Sequence, residues 1–134
     1  MTYQPLVSTD DLSETVPTKL NENARTERFV NVNAKSAAFV PWADDSSGNP
    51  KDVYLVTTST GTFAATLPAA NSADAAAGRL VTIMKADAAV GTCNITPDGA
   101  DTINGSASAI ALSTQYHYRT LVSNGSTWFV VGSN

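Results

Sequence analysis

Gln115-Tyr-His-Tyr-Arg-Thr-Leu-Val-Ser-Asn-Gly-Ser-Thr-Trp-Phe-Val-Val131 is the stretch on which the fold turns. Two β-prone runs flank Asn124-Gly125, the dipeptide that most readily takes the positive φ angles of a two-residue hairpin turn. Trp128, Phe129, Val130 and Val131 then run almost to the end of the chain, so the C-terminus reads as a buried strand. Everything from about Asp52 onward reads as a small all-β module that this hairpin closes.

Upstream of the hairpin the strand signals are short and regularly punctuated. Asp52-Val-Tyr-Leu-Val-Thr-Thr58 and Gly61-Thr-Phe-Ala-Ala-Thr-Leu67 are separated by Ser59-Thr60, a hairpin-length link. Pro68 to Ala77 reads as a loop or one helical turn. In Gly78-Arg-Leu-Val-Thr-Ile-Met-Lys85, Val81 and Ile83 share one face while Leu80, Thr82 and Met84 share the other, which suits a central strand. Thr92 to Thr96 turns Cys93 and Ile95 inward, Pro97-Asp-Gly99 is a turn, and Asn104-Gly105 ends a short piece at Thr102-Ile103. Ser108 to Leu112 places Ile110 and Leu112 on one face. Such a run of short strands predicts a mainly β fold, a small antiparallel β-sandwich or jelly-roll-like knob. No internal repeat of fixed period is evident, which argues against a propeller or solenoid.

The first fifty residues follow a different grammar. Only Gly48 lies there, whereas seven glycines punctuate the remainder, and Ser46-Ser-Gly-Asn-Pro50 has the composition of a boundary loop. Residues 1–50 therefore read as an extended, partly helical N-terminal arm and residues 51–134 as the knob. Tyr3-Gln-Pro-Leu-Val7 is extended and semi-apolar. Pro17 suits a first helical position, and a short helix over 18–28 would carry Leu20 and Ala24 on one side, too thin a stripe to stand alone. Phe29, Phe39 and Trp42 follow without hairpin signals. Tyr3, Leu6, Leu20, Phe29, Phe39 and Trp42 are therefore the candidate contacts of the arm with a partner surface.

Composition narrows the function classes. Charged residues make up 15% of the chain, against a usual value of about 25%, while Ala, Ser, Thr, Asn and Gly are abundant. The net charge of −4 offers no basic patch for nucleic acid or anionic lipid. Cys93 is the only cysteine, so no intrachain disulfide is expected, and the start shows no secretory signal. A knob of this size buries only about 60–65% of the surface its unfolded chain exposes. Self-association is the expected compensation.

No constellation carries catalysis. His117, the only histidine, lies without a nucleophile elbow or an orienting acid nearby, and reads as a strand residue sharing a face with Gln115, Arg119 and Leu121. Asp98, Asp101 and Asn104 resemble a calcium loop but lack the distal glutamate, and turn formation explains them. No cofactor, metal site or paired carboxylate is expected. Asn94, Asn104 and Asn124 begin glycosylation sequons that reflect an Asn/Ser/Thr-rich composition. Tyr116, Tyr118 and Trp128 could stack on a sugar; cross-strand support of the terminal hairpin is the simpler reading.

Four stretches carry a resemblance: Asp52 to Ala70, ending Leu-Pro-Ala-Ala; Gly78-Arg-Leu-Val-Thr-Ile-Met-Lys85; Asn94-Ile-Thr-Pro-Asp-Gly-Ala-Asp-Thr-Ile-Asn-Gly105; and Leu121-Val-Ser-Asn-Gly-Ser-Thr-Trp-Phe-Val130. In that order they resemble a β module that recurs in structural proteins of tailed bacteriophages, on tail fibres, tail spikes and capsid-surface projections. The resemblance spans about 52–134 and implies a homotrimer on the virion surface, made in the host cytoplasm, with no shared catalytic residues. Fibres of that family usually set the module behind long shafts, whereas about fifty residues precede it here. A short arm with a knob suits a capsid decoration (cement) protein or short head fibre that binds the major capsid protein. The alternative expectation is a tail-fibre or receptor-binding tip joined to tail or baseplate, recognising host glycan through Tyr116, Tyr118 and Trp128.

Overall fold

Alternation of apolar and polar residues along short β-branched runs produces eight strands among the described residues, with one single-turn helix. The computed structural model describes residues 31–45 and 50–134, within the unit Asn31–Asn134. The strands are β1 (Val32–Lys35), β2 (Val53–Val56), β3 (Phe63–Thr66), β4 (Val81–Lys85), β5 (Cys93–Thr96), β6 (Ile110–Leu112), β7 (Tyr118–Ser123) and β8 (Trp128–Ser133). The helical turn α1 (Ala73–Ala76) precedes β4. A five-stranded sheet has the order β1-β2-β4-β7-β8, and a three-stranded sheet the order β3-β5-β6. As the two-faced apolar pattern predicts, β4 is the middle strand of the larger sheet.

Both sheets are mixed, which corrects the antiparallel expectation. The pairs β1·β2, β2·β4 and β3·β5 are parallel; β4·β7, β5·β6 and β7·β8 are antiparallel. The reason lies in the corner at Ser59-Thr60. Rather than reversing as a hairpin, β2 leaves its sheet and β3 enters the other. Gly61 takes φ +127 at this corner, and its N–H bonds to the Thr58 carbonyl at 2.9 Å. The chain thus alternates between sheets, and a parallel bridge from Phe39 to Ala65 starts the same alternation before β2.

The result is a stack of coils, despite the lack of a repeating period. Val32 aligns with Val53, and Val53 with Thr82, offsets of 21 and 29 residues. Unequal turns leave no constant spacing in sequence. Past the coils, β6, β7 and β8 extend the two sheets with antiparallel strands.

The terminal hairpin forms where the sequence places it, with a loop of different length. β7 ends at Ser123 and β8 begins at Trp128, so four residues intervene. Asn124 keeps a negative φ and uses its side chain instead, Oδ1 accepting the N–H groups of Ser126 and Thr127 at 3.0 and 3.1 Å. Gly125 supplies the positive φ, +96. A true two-residue turn lies elsewhere, at Asn104-Gly105 with φ of +52 and +83.

One buried cluster draws on both sheets. Tyr54, Val56, Val81, Ile83, Leu121 and Trp128 enter from the larger sheet, and Ala65, Cys93, Ile95 and Leu112 from the smaller. Phe39 and Trp42 belong to the same cluster, their rings beside Tyr54 at 5.0 Å and Trp128 at 6.0 Å. Residues 31–45 are therefore part of the β body, which corrects the boundary expected near residue 50. The predicted helix over 18–28 and the arm contacts Tyr3, Leu6, Leu20 and Phe29 lie outside the described residues.

The other side of the larger sheet is organised in rows fixed by register. Val32, Val53, Thr82, Thr120 and Gly132 form one row, and Ala34, Leu55, Met84 and Tyr118 the next. Val122 pairs with Phe129 beyond them, and Leu80, the residue before β4, stands level with Val122 by the β4–β7 register. The Tyr118 ring lies 3.8 Å from where a Cβ on Gly132 would sit, so the aromatic covers the glycine gap. None of these side chains is charged.

Gly91 is fixed by space. A Cβ there would meet the backbone oxygens of Thr58 and Gly61 at 2.6 and 2.8 Å. Gly91→Ala is expected to destabilise the body by about 1–3 kcal/mol, read as a lower urea midpoint with an unchanged slope; an unchanged midpoint would show that the β2–β3 corner is not tightly packed.

Candidate functional site

Chemistry-bearing side chains collect at two places in the body, and both are structural hubs. The first is built on Arg79, at the entrance to β4. Its guanidinium donates to Asp52 Oδ1 at 2.6 Å, Asp45 Oδ2 at 2.8 Å and the Lys51 carbonyl at 3.1 Å, and Asp74 of α1 lies 3.4 Å away. The same group stacks over the Trp42 ring at 4.6 Å. Burial works against its charge, yet the hydrogen bonds to Asp45 and Asp52 outweigh it and hold the guanidinium above its ordinary range. A planar fork with several donors is what this convergence needs; a lysine could not reproduce it.

Arg79 also explains an unusual backbone. Trp42 has φ +71, costly for a bulky residue. Its N–H donates to the Tyr54 hydroxyl at 2.5 Å, its carbonyl accepts Asp45 N–H at 3.1 Å, and its ring is clamped under Arg79. Burial raises the Tyr54 phenol pKa, so it stays protonated as a partner for this loop. Lys35 pairs with Asp44 on the same segment. These contacts fold residues 39–45 down onto the core.

The second hub is Lys85, the last residue of β4 and fully buried. Its ammonium donates to Asp87 Oδ1 at 2.7 Å, the Ala89 carbonyl at 2.8 Å and the Asp87 carbonyl at 2.9 Å, so all three N–H groups are satisfied. Asp87 also accepts the Thr58 N–H at 2.8 Å, and the Thr58 hydroxyl bonds to the Gly91 carbonyl at 3.0 Å. The network ties the loop after β4 to the β2–β3 corner.

The sequence candidates fall as follows. Phe39 and Trp42, expected to contact a partner, are in the core and cannot reach one. Trp128 is fully buried, its Nε1 donating to the Pro68 carbonyl at 3.0 Å, whereas Tyr116 is exposed at a turn with φ +67. The proposed sugar platform of Tyr116, Tyr118 and Trp128 therefore does not assemble: Trp128 faces inward on β8, while Tyr118 lies over Gly132 on the opposite side of the sheet. His117 precedes β7 instead of lying within it, because Gln115 and Tyr116 form a turn. Burial pushes the Cys93 thiol up to about 12, so it remains protonated at neutral pH.

The calcium-like loop serves as turn scaffolding. Asp101 Oδ2 accepts the Ala70 N–H at 2.7 Å, and Asn104 Oδ1 accepts the Val130 N–H at 3.0 Å. Among the described residues no group of three His, Cys, Asp or Glu is placed to hold a metal, and no helix is long and apolar enough to cross a membrane. Sequence reading missed Arg79 and Lys85; the Gly78-Arg dipeptide was the signal for the first, and a charged residue ending an apolar strand for the second. No protein-family model and no curated protein matches this chain.

Asp87 gives the body an acid-sensitive joint. The Lys85 ammonium, with help from the Thr58 N–H, holds its carboxyl below the usual range against a desolvation cost. Its stabilising contribution is present above the unfolded-chain pKa of about 4 and is lost as pH falls through the lower folded value. Asp87→Asn is expected to lower the urea midpoint at neutral pH and to make its fall below about pH 4 shallower. Parallel acid limbs in the two proteins would count against this role.

Proposed function

We propose that the chain is a structural component of a tailed-bacteriophage particle. In this reading it is a capsid decoration (cement) protein or short head fibre, a homotrimer whose N-terminal residues bind the major capsid protein. The β body, its two sheets taken as layers of a small sandwich-type knob, projects from the virion surface.

One observation carries the reading. Arg79 with its three carboxylates, and Lys85 with Asp87, spend their charges holding backbone segments together. Such a body is built to be a rigid, inert part. The four motif stretches support it from another side, because three of them each supply a joint and the first, Asp52 to Ala70, is the partner in all three. Arg79 of the Gly-Arg strand is the first hub, Asp101 of the Ile-Thr-Pro stretch holds Ala70, and Trp128 of the closing hairpin anchors to Pro68. The body takes in residues 31–45, so attachment falls to residues 1–30, with Tyr3, Leu6, Leu20 and Phe29 as the contacts. In this reading the segment lies across neighbouring capsid subunits.

Deletion of residues 1–30 is expected to abolish co-sedimentation with capsid shells while cooperative unfolding and buried-tryptophan emission stay as in the full chain. A folded, truncated protein that still decorates shells would overturn the attachment role.

A further inference from the structure

Strands with one wet face alternate apolar and polar residues, whereas strands covered on both sides read as continuous apolar runs. β2, Val-Tyr-Leu-Val, and the first half of β8, Trp-Phe-Val-Val, are of the second kind. Their inner residues meet the core, but the outer rows of the larger sheet meet nothing among the described residues. Val32 is 53% exposed, Leu80 50% and Phe129 38%. Isolated exposed apolar residues need no explanation, but these join Val53, Leu55 and Met84 in one continuous face.

We propose that this face is where copies of the chain meet one another. Charge selects that occupant. None of the paired residues in these rows is charged. Lys51 stands at the edge of the face, level with Leu80 by the β2–β4 register, and its backbone N–H bonds to Asp45. A partner with a charged surface would have to strip water from its own charges against Val and Leu with no counter-charge to meet them. A second copy offers the same neutral rows, so the faces of neighbouring copies meet without burying an ion. It also keeps the acidic Asp45–Asp52–Asp74 cluster of each copy out of the contact, which matters for a chain of net charge −4.

Size sets the strength. Five strands about 4.8 Å apart and about five residues long span roughly 400 Å² in flat projection, against about 800 Å² per partner in a standard interface. That is about half of a standard interface, so association is weak and depends on protein concentration. The inference rests on the proposed homotrimer for copy number only; the face itself is argued from its rows.

Sedimentation velocity of the full chain over a concentration series tests it, with Leu80→Glu and Phe129→Glu as face variants. Val90→Glu, at a fully exposed loop position, is the control. Far-UV circular dichroism and tryptophan emission confirm folding of each. The wild type and the control are expected to associate, and each face variant to raise the dissociation constant at least about tenfold. A wild type that stays monomeric throughout, or folded face variants that associate as well as the control, would overturn the proposal. A dimer that the face variants dissociate would support the face while correcting the trimer. Continued shell binding by the truncated protein, which would overturn the attachment role, would leave this result untouched.

Discussion

The Arg79 guanidinium is the contact on which the body depends. It sits where three passes of the chain converge: the 41–45 segment, the start of β2 and the helical turn α1. A cation in that position is useful because its partners come from different coils. Without it, Asp45, Asp52 and Asp74 would crowd together as like charges, and Trp42 would lose the group that covers its ring. The positive φ of Trp42 is tolerable only because these contacts over-determine it. One side chain thus converts a segment that could have been a tail into the first coil of the body.

Lys85 plays the complementary part at the opposite end of the same strand. Burying an ammonium is costly unless every N–H finds an acceptor. Here the acceptors are two loop carbonyls and one carboxylate, and Asp87 passes the constraint on to Thr58. β4 therefore carries a polar fastener at each end, with Val81 and Ile83 between them in the core. This arrangement explains how parallel coils of unequal length stack in register without disulfides. Both charged groups hold backbone segments in place.

Much of the strand content was legible, because alternation is a local signal. Val81 and Ile83 against Thr82 and Met84, Cys93 and Ile95 against Asn94 and Thr96, and the runs on either side of Asn124-Gly125 all declared themselves. Pairing was not legible. Ser59-Thr60 is short enough for a hairpin, yet it turns a corner between sheets, and loop length alone cannot distinguish the two. Parallel neighbours come from residues 21 to 30 positions apart, with no constant interval to betray them. Phe39 and Trp42 were misplaced for the same reason: Tyr54 and Arg79, which hold them, are distant in sequence. The sugar platform failed because strand parity, once fixed by the Ser123–Trp128 pair, sends Trp128 inward.

The functional reading follows from that division of labour. A body whose ionic groups are spent on its own joints, and whose larger sheet presents a neutral apolar side, is suited to assembly. It assigns attachment to residues 1–30 and rigidity to residues 31–134, and the boundary between them is its central claim. Amide hydrogen exchange of the full chain, read at peptide resolution, tests that boundary most directly. Phe39 N–H bonds to the Ala64 carbonyl, and Trp42 N–H to the Tyr54 hydroxyl. Residues 39–45 should then be protected to the same order as β2 and β4. Exchange of that segment within seconds, with β2 and β4 still protected, would contradict the account.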